Sequence, residues 1–570
     1  MDSFLIIAID FGTAFAGYSF YFNVNTGSQP QIRVPRWGQN IGTETLKTPT
    51  CILFDENGKF LKFGYDAMMS YTRQSSKNVA KKQYLFSNFK MELYNKEIHR
   101  DMTITAKNGK TMSAMKVFSE SISFLKDHAL KSVEKHTRGK KFIASDVTWV
   151  LTVPAIWSGG AKQFMREAAV QAGLVTEFAS EQLIVALEPE AASLWCKEHP
   201  ADDLTAEGQD TLEQKPGTQY MVVDCGGGTV DITVHEMLND GYVKELHKAS
   251  GNDMGGQTVD KHFQAFLREI FSDDVFDEFE REYPGELQKM MYEFSFVKCL
   301  DDEIVVPCHN SLPELAKKKQ DLASYFKGVY GAEWDDGSIY ISQEKFRSFF
   351  DASLQSIAGK IREILRNPKL CINQLVLVGG YASSPILRNF ICKHFSAEYK
   401  VTCPSDAQTA VMKGAIEFGK NPKIVRSRIS VLTYGIGVSE VFDPSVHQPN
   451  KIRVNELGVA YSDGCFHKLV EKGESVDCDE IRQITFYPTK SSQTEMHFPF
   501  YSTEKQNAKY IDEWGLEYIG LISVPMTNIS KGTNRTVRLE IKFGFTEILA
   551  TARDEDSNKT ESIKMDFLSK

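Results

Sequence analysis

Three apolar runs along the chain each break at a glycine-bearing turn. The first is Leu5-Ile-Ile-Ala-Ile-Asp-Phe-Gly-Thr13, the second Tyr220-Met-Val-Val-Asp-Cys-Gly-Gly-Gly-Thr-Val-Asp231, and the third Leu375-Val-Leu-Val-Gly-Gly380. Short continuous apolar runs closed by turn signals read as strands buried on both faces. The first two share one plan: buried strand, Asp, one residue, Gly, then Thr within three residues and a second β-prone run. Asp10 and Asp224 stand too far apart for a solenoid period of roughly 20–50 residues, so the pattern predicts a duplicated lobe. Between these landmarks strand and helix alternate. Thr148 to Val153 is β-rich; Ser158 is placed to cap a helix carrying Ala161, Phe164, Ala168, Ala169 and Ala172, and Gly173 supplies its stop. Ser384-Pro385 starts a helix through about Phe395.

Asn57-Gly58 and Asn108-Gly109 are hairpin signals that mark a β-rich insertion over about 40–112, followed by a long amphipathic helix with Phe118, Ile122, Leu125 and Ala129 inward. A charged stretch with irregular aromatics, about 260–345, reads as a helical insertion. Beyond about Arg428 the period changes to two: Val537-Arg-Leu-Glu-Ile-Lys-Phe543 alternates, as do Ile563, Met565 and Phe567. The pattern therefore predicts two α/β lobes followed by a β-rich C-terminal part.

Composition narrows the function classes. With 42 % hydrophobic and 25 % charged residues, the 570-residue chain is ordinary for a globular protein and unlike a disordered one. A net charge of −9 argues against nucleic acid or an anionic membrane as the main partner. No stretch has the length of a membrane span, and the run from Phe4 to Ile9 lacks the flanks of a signal peptide. Ten cysteines without a Cys-x-x-Cys predict free thiols and a cytoplasmic setting.

A strand that ends in Asp-x-Gly-Thr and turns back is suited to phosphate. Glycine lets backbone N–H groups approach an anion, and the Thr hydroxyl adds a donor. Two such hairpins facing each other would clamp a polyphosphate, with Asp10, Asp224 and Asp231 near a magnesium ion that keeps part of its water shell. The competing reading of each motif alone is a tight turn with no ligand.

The same residues resemble the two phosphate loops and the adenosine loop of actin-like ATPases: Ile9-Asp-Phe-Gly-Thr13, Val223-Asp-Cys-Gly-Gly-Gly-Thr-Val-Asp231 and Leu377-Val-Gly-Gly380. Leu151-Thr-Val-Pro-Ala155, Leu187-Glu-Pro-Glu-Ala191, Met254-Gly-Gly256 and Met412-Lys-Gly-Ala-Ile-Glu-Phe418 narrow the resemblance to the heat shock 70 kDa family. Phe89-Lys-Met91 and Leu432-Thr-Tyr-Gly-Ile-Gly-Val438 look most like its divergent 12A/12B-like branch. The resemblance implies an α/β fold: a two-lobed actin/ribonuclease-H-like ATPase domain, then a β-rich domain that in the family is followed by a helical lid. Here the alternating strands run on to Phe567, so a β-rich C-terminal domain without a helical lid is expected. Lobe I would span 1–185, lobe II 186–424, a linker 425–432, and a protein- or peptide-binding domain 433–570.

It also implies ATP or ADP with Mg²⁺ as ligands, and slow ATP hydrolysis coupled to protein or peptide binding, with co-chaperones as further partners. A non-hydrolysing nucleotide sensor or scaffold is the alternative; a small-molecule kinase and an actin-like filament are weaker ones. By resemblance Asp10 and Asp224 hold the metal through water, and Thr13 and Thr229 stand beside the phosphates. Lys90 reaches the terminal phosphate and Glu188 orients the attacking water. Gly12, Gly226, Gly227, Gly228, Gly255, Gly256, Gly379, Gly380 and Asp231 line the nucleotide. Two departures stand out. Ser383 replaces the arginine that stacks on adenine, a contact worth about 0.5–2 kcal/mol. The linker Val425-Arg-Ser-Arg-Ile-Ser-Val-Leu432 is basic where the family's is acidic, which puts coupling to the C-terminal part in question.

Overall fold

The computed structural model describes residues 4–23, 31–74, 82–177, 180–199, 201–203, 209–210, 212–308, 310–478, 480–543 and 548–568. The chain forms two compact units. One comprises Met1–Met237 and Ala249–Pro422, the other Leu238–Lys248 and Lys423–Ser569.

In the first unit the apolar run Leu5–Phe11 is a fully buried strand that turns back into Phe15–Phe22. Thr148–Val153 pairs parallel to the first strand, and Leu183–Leu187 pairs parallel to that. The second apolar run repeats this arrangement. Gln219–Cys225 forms a hairpin with Val230–Met237; Ile372–Val378 pairs parallel to it, and Lys400–Cys403 lies parallel beyond. Parallel neighbours need covering on both faces, and helices supply that cover. Ala114–His136 buries Phe118, Ile122, Leu125 and Ala129, and Gly159–Gln171 is capped by Ser158 Oγ accepting from the Ala161 N–H at 3.2 Å. Gly173 takes φ +74° just after it. Helix Pro385–Phe395 begins and ends where the pattern places it.

Two helices, Glu188–Glu198 and Ala407–Lys420, cross closely because Gly414 has no side chain. A Cβ there would sit 2.5 Å from the Ala191 carbonyl carbon and collide with its oxygen.

The insertion about 40–112 holds the sheet of Cys51–Phe54, Phe60–Phe63 and Tyr84–Ser87 and the hairpin Thr103–Thr105/Thr111–Ser113, with Gly58 and Gly109 at positive φ in the turns. The stretch about 260–345 is not helical throughout. Besides its helices it carries an antiparallel sheet of Ile304–Pro307, Ser338–Ile341 and Ala332–Asp335. Asp336 and Gly337, both at positive φ, make the two-residue turn of its hairpin.

In the second unit, Thr433–Val441 lies between Ala460–Val470 and Glu495–Thr503, with Ile452–Val454 and Leu516–Pro525 at the edges. A second sheet runs Ile481–Phe486, Val537–Phe543, Ile548–Asp554, Thr560–Lys564. Both sheets contribute to one core that includes Ile436, Phe498, Phe500, Ile522, Leu539, Ile541 and Ala550. Residues 425–432 include the strand Val425–Ile429, parallel to Val243–Asn252 at Val243–Val425 and antiparallel to Ser475–Asp477. Glu245 accepts from the Ile429 N–H at 2.8 Å.

Arg535 is the largest buried cation here. Its guanidinium donates to the carbonyls of Gly532, Gln493 and Ser491 at 2.8, 2.7 and 2.9 Å. Charged donors make the stronger hydrogen bonds, and orphaned buried carbonyls are costly. Arg535→Met is therefore expected to lower stability by about 2–3 kcal/mol, read as a lower urea midpoint; an unchanged midpoint would mean water replaces the guanidinium.

Candidate functional site

Both glycine turns are closed in the same way. A side chain on Gly12 would strike the Phe15 carbonyl, and one on Gly226 would come 2.9 Å from the Thr229 carbonyl oxygen, in each case three residues on. Thr50 pins the first turn, its hydroxyl donating to Gly12 O at 2.7 Å and its N–H to Ala14 O at 2.9 Å. The turns meet tip to tip. A Cβ on Gly227 would lie 2.8 Å from the Ala14 Cβ, and one on Gly228 2.6 Å from Thr13 Oγ1. Gly255 and Gly256 hold the second turn from behind. Their N–H groups donate to Gly228 O and Gly226 O at 3.3 and 3.0 Å, and Gln257, opening the helix Gln257–Phe271, donates to Gly227 O at 2.8 Å. The amides of Gly255 and Gly256 are thus committed to the turn rather than free for an anion. The third run brings Gly379 against the second hairpin at φ +90°, where any side chain would collide with Asp224 Oδ1 and the Cys225 carbonyl. Gly380 follows with open space where a Cβ would project. Ser383 lies in the short turn Tyr381–Ser383, and Arg388 donates to the Ala382 carbonyl at 2.7 Å.

Four carboxylates gather at the ends of these strands: Asp10, Asp224, Asp231 and Glu188. Asp224 and Asp231 are register partners across the second hairpin. Glu188 opens its helix directly after Leu183–Leu187, and Lys90 reaches it from the short helix Phe89–Leu93, with Nζ 2.5 Å from Oε1 and 2 % of the lysine side chain exposed. The ammonium also lies 5.3 Å from the Trp157 ring centre. Burial above all, with Asp10 and Asp231, raises the Glu188 carboxyl to about 7 against the opposing pull of Lys90. Burial, then Glu188, Asp231 and Asp10, hold Asp224 well above the ordinary carboxylate range. Asp231 is also raised by burial, offset by the Ile156 N–H at 2.9 Å and the Thr229 hydroxyl.

One member of the cluster escapes motif reading. Lys47 places Nζ 2.6 Å from Asp10 Oδ2, with both side chains buried. The available signal was Gly17, a glycine inside an otherwise bulky strand, which marks close approach by another segment. Burial raises Glu188, Asp224 and Asp231, and repulsion from neighbouring carboxylates raises the first two further, a strain that a cation would relieve. Hard oxygen donors gathered in this way fit a divalent ion that retains water.

A family model described as Hsp70 protein matches residues 7–455. The chain belongs to the Hsp70 family. It is 33 % identical over 627 residues to heat shock 70 kDa protein 12A of Homo sapiens, covering 100 % of this chain and 92 % of that protein. With heat shock 70 kDa protein 12B of Homo sapiens it shares 32 % identity over 630 residues, covering 99 % and 91 %. Chaperone protein DnaK of Thermotoga neapolitana is 24 % identical over 434 residues, covering 73 % of this chain and 61 % of that protein. At least 99 % of this Hsp70 chain thus aligns with the 12A and 12B proteins. Among the described residues, no helix is long and apolar enough to cross a membrane.

A second group of metal-type residues lies in the other unit of this Hsp70 chain, where ligand atoms of Glu440, His447 and Cys465 fall within 4.8 Å of one another. Hydrogen bonds account for it. The Asp443 N–H donates to His447 Nδ1 at 3.0 Å, which leaves the ring proton on Nε2, facing Glu440 Oε2 at 3.4 Å. The Cys465 thiol donates to the Ser462 carbonyl at 3.4 Å. Its protons are used internally.

Proposed function

We propose that the chain binds ATP or ADP with Mg²⁺ between the two glycine turns, hydrolyses ATP slowly, and couples nucleotide state to protein or peptide binding by residues 433–570. The observation that carries this reading is the tip-to-tip meeting of the turns above four buried carboxylates and the Lys90–Glu188 pair. Turn amides at Gly12, Gly227 and Gly228 and the hydroxyls of Thr13 and Thr229 suit a polyphosphate. The metal supplies charge neutralisation of the phosphates, and Asp10 and Asp224 would hold it through its waters. Lys90 is the donor for the terminal phosphate. Glu188, raised to about 7 by burial, suits a group that orients water and takes up part of its proton. No covalent nucleophile is required; positioning and electrostatics carry phosphoryl transfer to water. Gly379 and Gly380 would face the nucleoside, and Ser383 offers no guanidinium to stack on the base. The setting is a cytoplasmic one, with protein clients and co-chaperones as partners and nucleic acid excluded by charge.

One observation favours the non-hydrolysing sensor as a second reading: Asp10 is already paired with Lys47. Single-turnover hydrolysis separates the two.

Calorimetry with ATP, ADP and GTP tests the shared core of both readings. Micromolar or tighter binding of at least one is expected. Asp224→Asn is expected to weaken Mg·ADP more than metal-free ADP, since a carboxylate that organises the metal matters little without it. Absence of binding by all three nucleotides would overturn the proposal.

A further inference from the structure

The lysine on Asp10 comes from neither hairpin. Lys47 directly precedes the short strand Thr48–Pro49, which pairs with Phe15–Phe22 at Phe15–Pro49 and Ala16–Thr48. Its carbonyl is held by the Thr45 hydroxyl at 2.8 Å. From there the side chain crosses the neighbouring strand at Gly17, the register partner of Asp10. A Cβ on Gly17 would lie 3.2 Å from Lys47 Cγ and 3.3 Å from the Leu46 carbonyl oxygen. The missing side chain is therefore the passage by which the lysine reaches the carboxylate. Both oxygens of Asp10 are then engaged: Oδ2 by Lys47 at 2.6 Å, and Oδ1 by the Thr152 hydroxyl at 3.4 Å. Lys47 also acts on Asp224, where its charge opposes the rise that burial imposes.

A buried lysine is costly to keep, and packing alone would be served better by an apolar residue. Its position on the acid that would face a hydrated metal ion suggests a specific use. A magnesium ion held through water needs the carboxylate oxygens for hydrogen bonds from its water shell. An ammonium already on Oδ2 takes that place and brings its own positive charge and three donors. Being tethered, it pays no translational entropy on each binding event.

We propose that Lys47 is a built-in counter-cation that competes with a divalent metal for Asp10, so that this chain binds nucleoside diphosphate with only weak dependence on Mg²⁺. The inference rests on the nucleotide reading above, and the competition itself is measurable without nucleotide. Lys47→Gln keeps a hydrogen-bond donor and removes the charge. The nucleotide-free protein is titrated with Mn²⁺, followed by electron paramagnetic resonance, and ADP affinity is measured in Mg²⁺ and in EDTA.

Lys47→Gln is expected to bind Mn²⁺ at least about tenfold more tightly than the parent. The ratio of ADP dissociation constants in EDTA and in Mg²⁺, below about tenfold in the parent, is expected to rise at least about tenfold in the variant. Gly17→Ala narrows the passage and touches neither charge; it should move both readouts the same way by a smaller factor, and it serves if Lys47→Gln does not fold. Unchanged Mn²⁺ affinity in the folded variants overturns the competition, and an unchanged ADP ratio overturns its consequence for nucleotide. No ADP binding by the parent in either condition overturns the nucleotide reading instead, while the Mn²⁺ titration still decides whether Lys47 excludes metal.

Discussion

Lys90→Met is expected to slow single-turnover ATP hydrolysis on the order of 100-fold while ADP affinity changes by no more than about threefold. The loss is in the transition state, because a donor on the terminal phosphate gains most as charge redistributes there. The variant should still fold. Deleting one partner of a buried ion pair ordinarily strands the other charge, but Glu188 already sits at about 7 with Lys90 beside it, so without the lysine it takes a proton and becomes neutral. That coupling adds a pH signature. In the parent, Glu188 is ionised above about 7, so turnover should rise with pH through that value. In Lys90→Met the rise should move to higher pH, because the group that lowered the carboxyl is gone. An unchanged rate, or a profile that does not move, would remove the Lys90–Glu188 pair from the chemistry.

The largest structural effect is expected at Gly414. The helices Glu188–Glu198 and Ala407–Lys420 meet backbone to side-chain-free backbone there, so Gly414→Ala drives a methyl group into the Ala191 carbonyl. Rigid main chain cannot step aside as a flexible side chain would. A loss of about 3 kcal/mol or more follows from overpacking of this kind. Gly359, exposed in the helix Asp351–Leu365 with nothing within 4 Å of its would-be Cβ, provides the opposite case. Gly359→Ala should stabilise by about 0.5–1 kcal/mol through helix propensity and a less free unfolded chain. Urea midpoints of the two variants should therefore fall on opposite sides of the parent; a Gly414→Ala curve overlying the parent would mean the helices separate freely.

What could be read before any coordinates were local features. Apolar runs ending in Asp and Gly, the Ser158 cap, and the Ser384-Pro385 helix start all depend on neighbours in sequence, where spacing carries the signal. The pairing of Lys90 with Glu188 joins residues 98 positions apart, and resemblance to a family gave each a role without pairing them. Lys47 was missed because its segment has no period and no motif; its meaning depends on Gly17, which is visible only once the strand register is known. The sheet inside the stretch about 260–345 was hidden by charge. Trp334-Asp-Asp-Gly-Ser338 reads as a polar connector, yet Asp336 and Gly337 adopt the left-handed turn that folds two strands together. Gly255 and Gly256 show a different limit: a glycine pair beside a helix start suggests an anion, whereas their N–H groups are already taken up by the carbonyls of the second turn.

The doubled hairpin plan carries an evolutionary consequence. If both halves descend from one ancestral half-protein, that ancestor would have bound its ligand as a symmetric pair, each copy offering the same aspartate at the same strand end. The two aspartates now have different companions: Asp10 faces a lysine brought in beside its hairpin, and Asp224 faces Gly379, where any side chain would collide with it. Broken symmetry of this sort gives a ligand one orientation instead of two equivalent ones. A polyphosphate entering such a site has a head and a tail, and the protein can tell them apart before any base is read.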